Sequence, residues 1–217
     1  MKDTVIIYSG GMDSTVLLHE YKDSIKIALT FDYGSKHNAR EHRAARANCG
    51  KLGIRHITLN LDFINGLWQS DLLRAGGEIA RGVYDEDNIR RTVVPFRNAI
   101  MLSLATGLAE SNGCKKVMLA SHSGDHTIYP DCRKEFNDAM NEAMQKGTYI
   151  GVSLFAPYNA LSKREIALRG KSLGVDFGLT YSCYRGGENH CGECSTCMER
   201  KQALNGFDPT VYEDANA

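Results

Sequence analysis

Near the start of the chain an apolar run, Val5-Ile6-Ile7-Tyr8, enters a turn of small residues and leaves it as Val16-Leu17-Leu18, with Tyr21 one turn on. The first run reads as a buried strand and the second as the opening of a packed helix. Between them stands Ser9-Gly10-Gly11-Met12-Asp13-Ser14-Thr15. A strand that passes through glycines into a helix N-terminus builds an anion site. The glycines let the backbone come close, and the unpaired first-turn amides point at the guest. Ser9, Ser14 and Thr15 add hydroxyls. A phosphate group fits this junction, and a parallel α/β sheet is the architecture that makes such junctions. The loop holds no lysine, so it is not GxxxxGK[ST]; Gly10 and Gly11 are adjacent, so it is not GxGxxG.

The rest of the chain alternates in the same way. Buried strands are expected at residues 27–31, 56–61, 117–120 and 152–155. Helices are expected at 13–21, at 39–52 with Gly53 as its stop, at 98–111 before Asn112-Gly113, at 136–144 and at 195–204. Another opens on the capping box Ser162-Lys163-Arg164-Glu165 and ends at Gly174. This predicts an α/β chain: a Rossmann-like parallel sheet flanked by helices, with right-handed crossovers. Regularity fades over residues 62–92, where a short helix near 67–73 and a surface loop at 84–91, a candidate lid, are expected. Residues 121–133 are polar and follow a strand's carboxyl end, where open sheets bind ligands. The tail from Asp208 reads as frayed.

Of 217 residues, 26 are Lys or Arg and 26 are Asp or Glu, so no global basic field exists to hold a nucleic acid. A small-molecule substrate is the expectation. Met1-Lys2-Asp3 runs directly into the first strand, giving no signal peptide, and the longest apolar stretch, 99–109, is too short and interrupted to span a bilayer. A cytoplasmic chain without a membrane partner is expected.

Seven cysteines in such a chain are not expected to pair as disulfides. Cys49 and Cys114 read as small buried hydrophobes. Cys183, Cys191, Cys194 and Cys197 crowd into fifteen residues. The two-residue gaps turn neighbouring thiols to one centre, and Gly186-Gly187 lets the chain double back to supply the fourth. Four thiolates suit tetrahedral Zn²⁺ in a closed structural site. An iron–sulfur cluster is the competing reading, and His190 competes with Cys183 as the fourth ligand. The expected organisation is a nucleotide-binding domain over residues 1–180 with a zinc-binding segment, 181–217, packed on it.

The loop SGGMDST resembles the pyrophosphate-binding loop of the ATP pyrophosphatases (the PP-loop superfamily). Three more stretches narrow the resemblance. They are Val94-Pro95-Phe96-Arg97-Asn98, Tyr129-Pro130-Asp131-Cys132-Arg133, and Ser182-Cys183-Tyr184-Arg185-Gly186-Gly187 followed by His190-Cys191-Gly192-Glu193-Cys194-Ser195-Thr196-Cys197. Together they resemble the 7-cyano-7-deazaguanine synthases, over about residues 3–205. The chain departs from that family at Phe96, where Gly is common, and over residues 121–129.

The resemblance implies an adenine nucleotide alpha hydrolase-like fold and an ATP-dependent carbon–nitrogen ligase that forms a nitrile and releases AMP and pyrophosphate. The small-molecule substrates it implies are 7-carboxy-7-deazaguanine and ammonia, with ATP as co-substrate, Mg²⁺ and Zn²⁺ as metals, and a homodimer as the assembly. Carried onto this chain, Tyr8, Ser9, Gly10, Gly11, Met12, Asp13, Ser14 and Thr15 hold the pyrophosphate, Asp13 through Mg²⁺. Leu29, Thr30 and Phe31 line the adenine through backbone groups. Arg97 and Lys163 neutralise phosphate charge, and Asp125 orients ammonia or substrate. Arg97, Asn98, Asp131 and Arg133 bind substrate, with Asp131 accepting from its guanine-like edge. Cys183, Cys191, Cys194 and Cys197 hold the zinc. His122 and His126, four apart, read as loop or substrate-lining groups, and His37 as either a phosphate contact or a solvated loop residue. A tRNA-modifying PP-loop enzyme, a lysidine synthetase or thiolase, is the rival; neutral charge counts against it.

Overall fold

The computed structural model describes residues 2–82, 86–125 and 129–213, excluding the side chains of Glu86 and Asp125. The elements run β1 (Thr4–Ile7), α1 (Met12–Glu20), β2 (Ile25–Asp32), α2 (Asn38–Leu52), β3 (Arg55–Asn60), α3 (Phe63–Leu67), α4 (Glu86–Arg90), α5 (Arg97–Ser111), β4 (Lys116–Met118), α6 (Lys134–Gly147), β5 (Ser153–Phe155), α7 (Lys163–Ser172) and α8 (Ser195–Ala203). The five strands are parallel in the order β3-β2-β1-β4-β5. The order reverses between β1 and β4, and open sheets bind ligands at that crevice, outside the strands' carboxyl ends.

Strand residues alternate between two cores. Val5, Ile27, Leu29 and Val117 face one side, where Leu102 and Ala105 of α5 cover them. Ile6, Ala28 and Met118 face the other, under Val16 and Leu17 of α1 and Ile166 and Ala167 of α7. The near-continuous apolar strands follow from burial on both faces. Cys183, Cys191, Cys194 and Cys197 belong to the first core, so the cysteine segment packs on the sheet domain's own interior.

Residues 62–92 depart from expectation. The helix lies earlier, at α3, and part of the expected loop is helical, as α4. Leu72, Leu73, Ile79 and Ile89 are buried. The Lys36 ammonium donates to the carbonyls of Asp71, Leu73 and Gly77 at 2.6, 2.5 and 3.0 Å. The described part of this stretch is therefore held against the body of the fold; residues 83–85 lie outside the described chain. The tail is also corrected, as far as residue 213. Tyr212 bridges to His190, its hydroxyl donates to Asp208 Oδ2 at 2.6 Å, and Thr210 Oγ1 accepts from Arg200 Nε at 2.7 Å.

Candidate active site

A cleft of about 230 Å³ lies over the β1/β4 reversal. Its floor is the loop after β1. Gly11 is the N-cap of α1 and no side chain caps that helix. The amides of its first turn therefore face the cleft as unpaired donors. Ser9 Oγ accepts from the Gly11 amide at 3.0 Å and lies 3.1 Å from Ser14 Oγ, which holds the loop in its curved form. Gly10 has φ +86°, and a Cβ there would lie 2.5 Å from the Glu41 carbonyl, so only glycine lets α2 come this close.

Asp13, in the first turn of α1, faces an ammonium and an imidazole. Its Oδ2 lies 3.7 Å from Lys163 Nζ and 3.8 Å from His122 Nε2. Its Oδ1 is buried with no hydrogen-bond partner among the described residues. An orphaned carboxylate oxygen beside a phosphate site suits a divalent cation. His122 Nδ1 accepts from the Gly124 amide at 3.1 Å, which leaves Nε2 as the protonated nitrogen facing Asp13.

The opposite wall is aromatic and basic. Arg97, opening α5, donates to the Tyr33 hydroxyl at 3.1 Å and sits over that ring, 5.4 Å from its centroid. His37 stacks on Tyr184 at 5.3 Å and meets the Glu41 carboxylate at 3.5 Å. Burial, then Arg97, lowers His37 to about 3, so it stays neutral. Burial raises Glu41 to about 8, with Arg97 opposing. Burial likewise raises Tyr33 and Tyr184, keeping both as neutral donors.

The four cysteine sulfurs lie within 4.8 Å of one another and all four residues are buried. Amides of Cys191 and Cys194 donate to the sulfurs of Cys183 and Cys191 at 3.4 and 3.3 Å, as thiolate ligands require. The four thiols act on one another: hydrogen bonding among the sulfurs lowers Cys191 and Cys194 and raises Cys183 and Cys197. An all-sulfur, closed, tetrahedron-sized donor set fits structural zinc. His190 is not the fourth ligand: its Nε2 accepts from the Ser182 amide at 3.0 Å.

The family model described as "QueC: Queuosine biosynthesis protein QueC" matches residues 3–208. The chain belongs to the QueC family. A relative from Porphyromonas gingivalis, named 7-cyano-7-deazaguanine synthase, is 54% identical over 215 residues, covering 98% of each chain. Relatives of that name from Desulfotalea psychrophila and Methanoregula boonei are 49% and 44% identical, covering 98% and 96% of this chain and 99% and 98% of their own. Among solved structures, an NMN synthetase from Francisella tularensis matches with a TM-score of 0.53 at 15% identity, over 97% of this chain and 79% of that one; the likeness is one of fold.

In this QueC-family cleft, Tyr8, Ser9, Gly11, Met12, Asp13, Ser14, Phe31, Arg97, Asn98 and Lys163 all line the walls. Other expected site residues are engaged elsewhere. Thr15 Oγ1 turns back to the Gly11 carbonyl at 2.7 Å and lies 3.1 Å from the Tyr8 hydroxyl, so it braces the helix. Gly10 is spent on the approach of α2. Leu29 keeps its carbonyl in the sheet, accepting from Tyr8, and Thr30 Oγ1 donates to the Tyr8 carbonyl at 2.6 Å. Asp131 Oδ2 accepts from the Asn98 amide at 2.9 Å, at the start of α5. Arg133 is exposed at the N-cap position of α6. The side chain of Asp125 and all of His126 lie outside the described residues. Tyr33, Glu41, Tyr129, Cys132, Tyr184 and Thr196 line the cleft without having been anticipated. For Glu41 the one signal was its place four residues after His37 on a predicted helix.

Proposed function

We propose that this chain is a 7-cyano-7-deazaguanine synthase. ATP adenylates the carboxylate of 7-carboxy-7-deazaguanine with release of pyrophosphate, and ammonia displaces AMP to give the amide. A second ATP activates the amide oxygen, and loss of AMP and a proton leaves the nitrile. The observation that carries the reading is the end-to-end match at 54% identity to a relative of that name. The cleft supports it chemically. Carboxylate and amide oxygens leave poorly, AMP leaves well, and a loop of helix amides is suited to holding the departing pyrophosphate.

On this reading Ser9, Gly11 and Ser14 grip the phosphates, Lys163 and Arg97 neutralise their charge, and Asp13 Oδ1 is a ligand for Mg²⁺. Mg²⁺ would screen the phosphates and polarise the α-phosphorus. Asn98 faces the substrate, while Asp131 acts by fixing the helix start that carries Arg97 and Asn98. Zinc holds the 181–217 segment against the nucleotide domain. Among the described residues no helix is long and apolar enough to cross a membrane; a cytoplasmic homodimer acting on a small molecule, without nucleic acid, completes the proposal.

The test is turnover of ATP, Mg²⁺, ammonium and 7-carboxy-7-deazaguanine, read by pyrophosphate release and product mass. The nitrile mass with two pyrophosphates per product supports the reading. Pyrophosphate release that depends on tRNA instead would overturn it.

A further inference from the structure

The metal-bearing helix reaches into the nucleotide site through one acid. Glu199, on α8, places its Oε2 2.7 Å from Lys163 Nζ, and that same ammonium lies 3.7 Å from Asp13 Oδ2. The three residues come from three helices: Asp13 from the first turn of α1, Lys163 from the first turn of α7 and Glu199 from the middle of α8. Each helix is held independently. Serine and glutamate of the Ser162 capping box fix the start of α7. Gly170 lets α7 close on α1, since a Cβ there would lie 2.6 Å from Val16 Cγ2. Cys194 is the N-cap of α8 and Cys197 lies in its first turn, so two of the four sulfurs sit at the start of that helix. Arg200, next to Glu199 and 1% exposed, donates to Thr180, Ser182, Thr210 and the Phe177 carbonyl.

We propose that Glu199 is a positioning residue that holds the Lys163 ammonium over the phosphate loop, so that the four-cysteine segment sets the geometry of adenylation as well as the stability of the fold. A lysine on a flexible stem loses rotamer freedom when fixed, and a partner that fixes it beforehand removes that cost from the transition state. Glu199 supplies that partner at 2.7 Å, and the same ammonium faces Asp13 at 3.7 Å. Both side chains are largely screened from water, at 18% and 28% exposure, so the contact is stronger than a surface ion pair. Thr196, three residues before Glu199 on α8, also lines the cleft, so α8 is a wall of the site.

The proposal rests on the functional reading above, and the experiment separates the two. Glu199→Gln, Lys163→Gln and the double variant are compared with wild type for pyrophosphate release, zinc content and melting temperature. If wild type releases no pyrophosphate with the deazaguanine acid, the functional reading fails. With an active wild type, Glu199→Gln is expected to lose about ten- to a hundredfold in kcat, as a misplaced catalytic group does. KM for ATP should stay within about threefold and one zinc per chain should remain. On the Lys163→Gln background the same change should cost nothing further, because Glu199 acts through Lys163. An equal loss on that background, an unchanged kcat in the single variant, or loss of zinc from it would each overturn the proposal.

Discussion

His37 Nε2 and Glu41 Oε2 stand 3.5 Å apart across the first turn of α2, two titratable groups buried in the cleft with Arg97 facing both. Burial acts on them in opposite senses, holding His37 neutral and Glu41 protonated. Glu41, raised from 4.5 to about 8, favours folding below its unfolded value, and that contribution is lost as pH rises toward 8. Wild type should therefore lose stability relative to Glu41→Gln between pH 5 and pH 7. Each unit spent between the two values is worth about 1.4 kcal/mol, so over these two units the gap should close or invert by about 2.5 kcal/mol. Urea unfolding of both proteins at the two pH values checks this; a pH-independent difference would place Glu41 in water.

Zinc should account for the colour, the metal content and the ligand set. The purified protein should be colourless with about one zinc per chain, and Cys183→Ser should lose the metal and melt lower. His190→Gln should keep its zinc, because that ring's Nε2 accepts from the Ser182 amide. Metal analysis of the two variants decides between the two candidate fourth ligands.

Asp13→Asn should abolish pyrophosphate release while leaving the melting temperature within a few degrees. The orphaned Oδ1 has no protein partner to lose among the described residues, so the fold gives up little. The charge that faces Lys163 and His122, and that would hold a divalent cation, disappears. Calorimetry should show weakened binding of ATP with Mg²⁺; turnover near the wild-type rate would remove Asp13 from the machinery.

How much of this could be read from the chain depended on whether local rules decided the outcome. Val5-Ile6-Ile7-Tyr8 and its glycine turn name a strand, a loop and a helix start because each is set within a few residues. Cysteine spacing is equally local. Residues 62–92 were opaque because Leu72 and Leu73 are buried by contacts with Lys36 and Ser35, far away in sequence, and no period marks that. Asp131 was legible only in part, for a related reason. A carboxylate in a motif reads as ligand-binding, and nothing nearby reveals that the free amide it satisfies belongs to Asn98, thirty-three residues earlier. Thr15 and Gly10 show the same limit within the loop itself: the motif is legible, but which members face the ligand depends on α2 and on Tyr8.

Phe96 is the one non-glycine residue with positive φ among those described, at +57°. An L-residue in this left-handed region costs about 1–2 kcal/mol. Phe96 is largely exposed and recovers part of that through an edge-to-face contact with Phe136, centroids 6.2 Å apart, worth about 0.5–1.5 kcal/mol. Phe96→Gly gains the first term, loses the second and adds chain entropy to the unfolded state, so it should change stability by less than about 1 kcal/mol. Phe96→Val keeps the strain, worsens it by β-branching and loses the ring contact, and should cost about 2 kcal/mol or more. Because Arg97 and Asn98 follow directly in the first turn of α5, the valine variant should also weaken turnover while the glycine variant does not. Denaturant midpoints and kcat for the pair test this together; equal destabilisation by both would mean the ring contact, not the backbone, governs the helix start.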